Sequence, residues 1–200
     1  MFKKMFFISL QVLALVFLTL ILYPEFTSGE TKAATSKIEN FTLKDIYGNN
    51  HSLKDYGESK AIVIIFIATR CPVSNSYNTR MVDLYNTYHS KDVTILGINS
   101  NKTESVEECK EHAEEHGFKF PVLKDEGNII ADMFDAHHTP EAYVLNPKTF
   151  EVLYHGRIDD SRDINNVESK DLANALNEIL AGKKISVPST KAFGCSIKRI

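Results

Sequence analysis

Three cysteines, at positions 71, 109 and 195, are the side chains in this chain best suited to chemistry. Cys71 has the setting of a nucleophile. It follows the apolar run Ala61-Ile-Val-Ile-Ile-Phe-Ile67 and opens Arg70-Cys71-Pro72-Val73-Ser74, which reads as a helix start. Unpaired N–H groups and the positive end of a helix favour a charged sulfur there. Arg70 adds a cation, and Pro72 suits the first helical position because its missing N–H is not needed. Such a thiolate attacks a disulfide or a peroxide, and Ser74 stands one turn along, where it can hydrogen-bond the sulfur. Cys109 lies in Glu107-Glu-Cys-Lys-Glu111, where flanking carboxylates raise its pKa and make it the least nucleophilic of the three. The pair His137-His138 could supply a proton or, with Cys71, hold a soft metal such as copper or zinc, but two ligands make an incomplete site. Arg157, in Tyr154-His-Gly-Arg-Ile-Asp-Asp160, either steers an anionic or peroxide substrate or forms a solvated pair with Asp159 or Asp160.

The elements that must position these residues follow from periodicity. Ala61–Ile67 is an unbroken apolar run of the kind found in strands buried on both faces, and Val93–Ile98 reads as a second buried strand. Ser74 to about His89 predicts a helix with Tyr77, Met81, Leu84, Tyr85 and Tyr88 on one side. Thr103–His116 predicts a charged amphipathic helix ended by Gly117. Before them, Phe41–Leu43 and His51–Leu53 flank a Gly/Asn turn and read as a small hairpin. After them come Phe118–Leu123, a short helix over Ile129–Phe134, a hairpin of Glu141–Leu145 with Glu151–Tyr154, and a last helix over Val167–Leu180. Parallel crossover units followed by a hairpin describe one α/β domain with a mixed sheet.

The chain of 200 residues has 23 Lys and Arg against 26 Asp and Glu, with no basic stripe, which argues against a nucleic-acid partner. Its N-terminus carries an address. Met1-Phe-Lys-Lys4 is a basic head, and Met5–Tyr23 is apolar apart from Ser9, Gln11 and Thr19, close to the ~20 residues that span a bilayer. Lys3 and Lys4 hold the head on the cytoplasmic side and place the remaining chain outside, anchored or cleaved. The expected division is a signal peptide or anchor at 1–29, a polar linker at 30–37, the folded domain at 38–182 and a tail at 183–200. An exported protein is free to form disulfides, and few exported chains leave exposed thiols unmatched. Cys195, in a tail with Pro188 and Gly194, is therefore the candidate partner of Cys71, with Phe193 and Ile197 to dock the tail.

The order of elements resembles the thioredoxin superfamily, and within it the redoxin branch of peroxiredoxin-like and membrane-tethered thiol-disulfide proteins. The resemblance rests on Ile65-Phe-Ile-Ala-Thr-Arg-Cys71-Pro72, Phe120-Pro-Val-Leu-Lys-Asp125 and Thr139-Pro-Glu-Ala-Tyr-Val-Leu-Asn-Pro147, and covers roughly residues 38–180. It implies a thioredoxin-like three-layer sandwich with a mixed central β-sheet, and a cis Pro140 after Thr139 packed beside the active sulfur. Two departures matter. Ser74 stands where dithiol members carry a second cysteine, and Ile64 and Ala68 stand where peroxiredoxins carry proline and threonine, with Thr69 one residue out of register. Cys71–Tyr77 is similar to a group of bacterial exported redoxins that also end in Gly-Cys, as Gly194-Cys195 does. Copper-delivery proteins on this fold use a second cysteine where this chain has Asn75. The function implied is an exported, thiol-dependent oxidoreductase. Cys71 is its nucleophile and Cys195 its resolver, with Ser74, Thr139 and Pro140 around the sulfur. It needs no organic cofactor, and its partners are a dithiol protein, a small thiol or a peroxide, with the membrane if the N-terminus stays uncleaved. The alternative is a copper-binding module built on Cys71, His137 and His138.

Overall fold

A computed structural model describes residues 36–200. The address read at residues 1–29 and most of the linker lie outside the described residues, and no described helix is long and apolar enough to cross a membrane. In chain order the elements are β1 (Thr42–Lys44), β2 (Asn50–Ser52), β3 (Ala61–Ile67), α1 (Pro72–Asn75), α2 (Asn78–Tyr88), β4 (Val93–Asn99), α3 (Val106–Glu115), β5 (Val122–Lys124), α4 (Ile129–Phe134), β6 (His138–Thr139), β7 (Glu141–Leu145), β8 (Val152–Gly156), α5 (Asp171–Leu180) and β9 (Cys195–Ser196).

All seven residues of β3 are buried. Its β-branched side chains suit a pleated surface packed on both sides. It sits at the centre of a five-stranded sheet of order β5-β4-β3-β7-β8. β3 runs parallel to β4 and antiparallel to β7, so the sheet is mixed. Alternate residues of β3 serve opposite faces. Val63, Ile65 and Ile67 pack with Tyr77, Met81 and Leu84 and with Leu172 and Leu176 of α5. Ile62, Ile64 and Phe66 pack with Ile130 and Phe134 of α4 and with Phe41 and Leu53. Helices on one face and α4 with the N-terminal hairpin on the other give the thioredoxin-like three-layer sandwich that the resemblance implies.

Three helices differ from the periodic reading. The helix expected from Ser74 to His89 is broken into α1 and α2 at Ser76 and Tyr77. Tyr77 is drawn inward, 1% exposed, its hydroxyl donating to the Ser161 carbonyl at 2.9 Å and its ring stacked under the Arg80 guanidinium at 3.5 Å. Holding that ring in the core bends the chain just after Cys71. α3 starts later than Thr103 because Ser105 and Glu108 form a reciprocal capping box. α5 starts at Asp171 rather than Val167, after a separate 3-10 turn over Ile164–Asn166.

The tail crosses the end of the sheet. Phe193 lies edge-to-face on Tyr77 at 6.3 Å on one side, and Ile197 is buried on the other with the β3 residue Phe66. Two glycines, one in β8 and one in the tail, make the crossing possible. A β-carbon on Gly156 would lie 2.1 Å from the Thr190 hydroxyl, and one on Gly194 would lie 2.1 Å from the Thr139 carbonyl oxygen. Only glycine permits these approaches.

Candidate active site

β3 delivers the chain to Cys71, which caps α1 in an extended conformation, with Pro72 at the first helical position. The Ser74 backbone N–H donates to the Cys71 sulfur at 3.2 Å. α1 has only four residues, so its dipole is small and this direct N–H is the main local support for negative charge on sulfur. The Ser74 hydroxyl does not serve the sulfur as the sequence suggested. It accepts from the Ala68 N–H at 3.2 Å, which pins the loop ahead of Cys71. That geometry uses the side chain as an anchor and leaves the sulfur to the backbone.

Cys71 and Cys195 are joined in a disulfide, with Cα atoms 5.9 Å apart and a sequence separation of 124. The tail reaches Cys71 as a strand. β9 pairs antiparallel with β6, Cys195 opposite Thr139 and Ser196 opposite His138. The Thr139–Pro140 peptide is cis, and the Thr139 carbonyl oxygen lies 3.3 Å from the Cys71 sulfur. Cys71, Cys195, Ser74, Thr139 and Pro140 are thus brought to one place. Cys71 is 4% exposed, whereas Cys195 is half-buried, so Cys195 is the more exposed residue of the pair.

Two buried carboxylates hold the loops around the sulfurs, and neither was singled out by the sequence. Glu104, 4% exposed, accepts from the backbone N–H groups of Thr69 at 2.8 Å and Arg70 at 3.0 Å. Glu141, next to the cis proline, accepts from the N–H groups of His137 and His138, both at 2.8 Å, from the Tyr143 hydroxyl at 3.0 Å and from His155 Nε2 at 2.6 Å. Burial alone would raise the Glu141 pKa, but these donors outweigh it and hold the carboxyl down at about 2. In the sequence Glu141 looked like the first residue of a strand, and its partner His155 is remote in the chain.

The other sequence candidates lie elsewhere. The His137 ring pairs with Asp135 at 3.0 Å, and His138 Nδ1 stands 3.8 Å from Glu141. With Cys71 engaged in the disulfide, no group of three or more His, Cys, Asp or Glu that could hold a metal is found among the described residues. The partner of Arg157 is Asp171, at 2.6 Å, in place of the expected Asp159 or Asp160. Asp159 instead accepts from Arg80 at 2.7 and 2.8 Å, in a buried pair that fixes the segment after α1. Cys109 is free and 2% exposed. Burial is the main cause that pushes its thiol up to about 11; the carboxylates Glu104 and Glu108 add less, and Lys124 opposes them.

The sequence description of the AhpC/TSA family matches residues 34–161. The chain belongs to the AhpC/TSA family. These are redoxins, thiol-dependent oxidoreductases, and the residues matched include Cys71 of the Cys71–Cys195 pair. The thiol-disulfide oxidoreductase ResA of Bacillus thuringiensis (strain Al Hakam) is 27% identical over 126 residues, covering 62% of this chain and 71% of that one. An uncharacterized conserved protein from Geobacillus kaustophilus is 33% identical with a TM-score of 0.77, over 82% of this chain and 90% of that structure. A hypothetical protein from Sinorhizobium meliloti 1021 superposes with the same TM-score of 0.77 at 27% identity, over 83% of this chain and 94% of that structure.

Proposed function

We propose that this redoxin is an exported, two-cysteine thiol-disulfide oxidoreductase in which Cys71 is the nucleophile and Cys195 resolves the mixed disulfide. The observation that carries the reading is the Cys71–Cys195 disulfide, formed at a strand end, beside a cis proline, with one N–H aimed at Cys71. In the reduced protein that N–H favours the Cys71 thiolate. The thiolate attacks one sulfur of a substrate disulfide, the substrate S–S bond breaks, and the far substrate sulfur leaves as a thiolate that takes a proton from water. Cys195, as thiolate, then attacks the Cys71 sulfur of the mixed disulfide. The Cys71–Cys195 bond forms, the second substrate thiolate departs, and two electrons have passed to the substrate.

Regeneration starts at the other sulfur. A donor thiolate meets Cys195 first, because Cys71 is closed in behind the tail, and attack there expels Cys71 as the leaving group that the Ser74 N–H stabilises. A second donor thiolate then attacks the donor sulfur of that mixed disulfide, forms the donor disulfide and frees Cys195. A lower leaving-group pKa speeds the exchange. A substrate dithiol that enters at Cys195 in the donor's place is oxidised by these same steps. The partner is a dithiol protein or a small thiol. Disulfide exchange is favoured over peroxide reduction because the proline and threonine of the peroxiredoxin pattern are missing here, with Ile64 and Ala68 in their places.

The N-terminal basic head and apolar run support an extracytoplasmic location, either tethered or released. Testing the chemistry takes the reduced protein, a disulfide-linked fluorescent peptide and hydrogen peroxide as parallel substrates. Rapid peptide reduction that is lost in Cys71→Ser fits the reading, and consumption of peroxide alone would overturn it. Cell fractionation tests the location, with recovery inside the cytoplasmic membrane as the contrary result.

A further inference from the structure

The turn that leaves β4, Asn99-Ser-Asn-Lys-Thr-Glu104, is polar throughout, yet its amide and carboxylate side chains are packed away. Asn99 is 0%, Asn101 3% and Glu104 4% exposed. Buried polar groups of this kind are retained where each finds a partner, and here the partners are the two segments that carry the sulfurs. On one side Glu104 takes the N–H groups of Thr69 and Arg70, the two residues just before Cys71. On the other side Asn101 Oδ1 accepts from the Lys198 N–H at 2.7 Å, three residues after Cys195. The Lys102 N–H returns a bond to the Lys198 carbonyl at 3.0 Å, so the tail is paired with the turn through both of its backbone groups.

The turn is stiffened internally. Asn99 Nδ2 donates to Glu104 at 2.6 Å, Asn99 Oδ1 accepts from the Asn101 N–H at 3.2 Å, and the Lys124 ammonium bonds Asn99 Oδ1 and the Asn101 carbonyl, both at 2.8 Å. Asn128, 2% exposed, adds a second tie, donating to the Ser100 carbonyl and accepting from the Ile200 N–H at 3.0 Å.

We infer that Asn101 is a positioning residue for the redox pair: it holds Cys195 over Cys71 by fastening the tail to the same turn that fastens the Cys71 loop. None of these bonds involves a sulfur, so all of them are available when the disulfide is open. Reduction then leaves the Cys195 thiol held near Cys71 rather than free on a loose tail. A held thiol has a high effective concentration, which favours ring closure over intermolecular mixed disulfides. The inference rests on the reading that Cys71 and Cys195 cycle.

The test equilibrates the full chain in dithiothreitol redox buffers and measures the fraction of Cys71–Cys195 disulfide by acid quench, alkylation and peptide mapping. Two variants remove the same bond from opposite ends. Asn101→Ala deletes the acceptor, and Lys198→Pro deletes the donor while leaving the Lys198 carbonyl. Each is expected to lower the equilibrium constant for the disulfide by about three- to tenfold, the worth of one buried hydrogen bond. The double variant is expected to lose no more than either single one, because the bond is already gone. Thermal melting of the reduced proteins separates this from simple unfolding: each variant is expected to stay folded well above the temperature of the redox titration while its disulfide equilibrium shifts.

Unchanged disulfide equilibria in both variants, with wild type cycling normally, would overturn the positioning role and leave the thiol-disulfide reading standing. Losses that add fully in the double variant would also overturn it. A wild-type disulfide that dithiothreitol buffers cannot open and close would overturn both.

Discussion

Replacing Gly194 with alanine strikes the closest approach between the tail and the cis-proline loop. A β-carbon there lies 2.1 Å from the Thr139 carbonyl oxygen, 2.7 Å from its carbon and 3.3 Å from the Pro140 nitrogen. All three are backbone atoms, and Glu141 fixes that backbone through the His137 and His138 N–H groups. Relief must come from the tail, which has to lift by about 1 Å or more to restore ordinary carbon–oxygen contact. A disulfide accepts only a narrow range of β-carbon separations, so the displaced Cys195 no longer reaches Cys71. The lost cross-link spans 124 residues, and closing a loop of that size restricts the unfolded chain by about 5 kcal/mol in the chain-entropy model. Guanidinium unfolding with and without dithiothreitol measures this directly, alongside thiol counting by alkylation and mass spectrometry. Air-exposed Gly194→Ala is expected to show all three cysteines alkylated. Its stability is expected to be no higher than that of reduced wild type and to fall short of oxidised wild type by roughly 5 kcal/mol or more. A variant that forms the Cys71–Cys195 link and keeps the oxidised wild-type midpoint would refute this reasoning.

Cys195→Ser should trap the first half of the cycle: with oxidised glutathione it accumulates a Cys71–glutathione adduct, whereas wild type passes on to the internal disulfide, and mass mapping distinguishes the two. Brief exposure of oxidised wild type to reduced glutathione, followed by acid quench, should place the mixed disulfide on Cys195 and leave Cys71 as the free thiol; adducts on Cys71 would count against entry at the outer sulfur. Glu141 has a folded pKa depressed to about 2, below an unfolded value near ~4.3. Its stabilisation is therefore present above pH ~4.3 and lost as pH falls towards about 2, an effect of order 3 kcal/mol for a buried group. Acid unfolding followed by circular dichroism should lose that slope in Glu141→Gln, which is also expected to start about 2 kcal/mol less stable because the amide cannot accept every bond the carboxylate does. A slope identical in wild type and variant would show that another group governs acid stability.

The strand that carries Cys71 and the helix start that follows were legible because both are local. An unbroken β-branched run, a proline at the first helical position and a cysteine between them need no tertiary knowledge. The cis Thr139–Pro140 bond came only through the family resemblance, since periodicity says nothing about peptide isomers. Pairing of Cys195 was argued from compartment and tail composition rather than geometry, and the β6–β9 pairing that brings the sulfurs together was invisible. What failed was the assignment of polar partners. Arg157 looked poised for Asp159 or Asp160, its near neighbours in sequence, yet the fold gives it Asp171 and gives Asp159 to Arg80. Tyr77 fitted a continuous helix, but its buried ring breaks that helix. Asn101, Glu104 and Glu141 gave no signal, because a buried, satisfied polar side chain differs from a solvated one only through contacts remote in the chain.

The most direct test of a cycling Cys71–Cys195 pair is peptide mapping of the purified protein after dithiothreitol reduction, and again after an oxidised substrate is added. The account predicts a linked Cys71–Cys195 peptide that opens on reduction and re-forms in step with substrate reduction, with Cys109 unlinked throughout. Cys71 and Cys195 remaining unlinked after substrate turnover, or a link that persists while substrate is reduced, would contradict it.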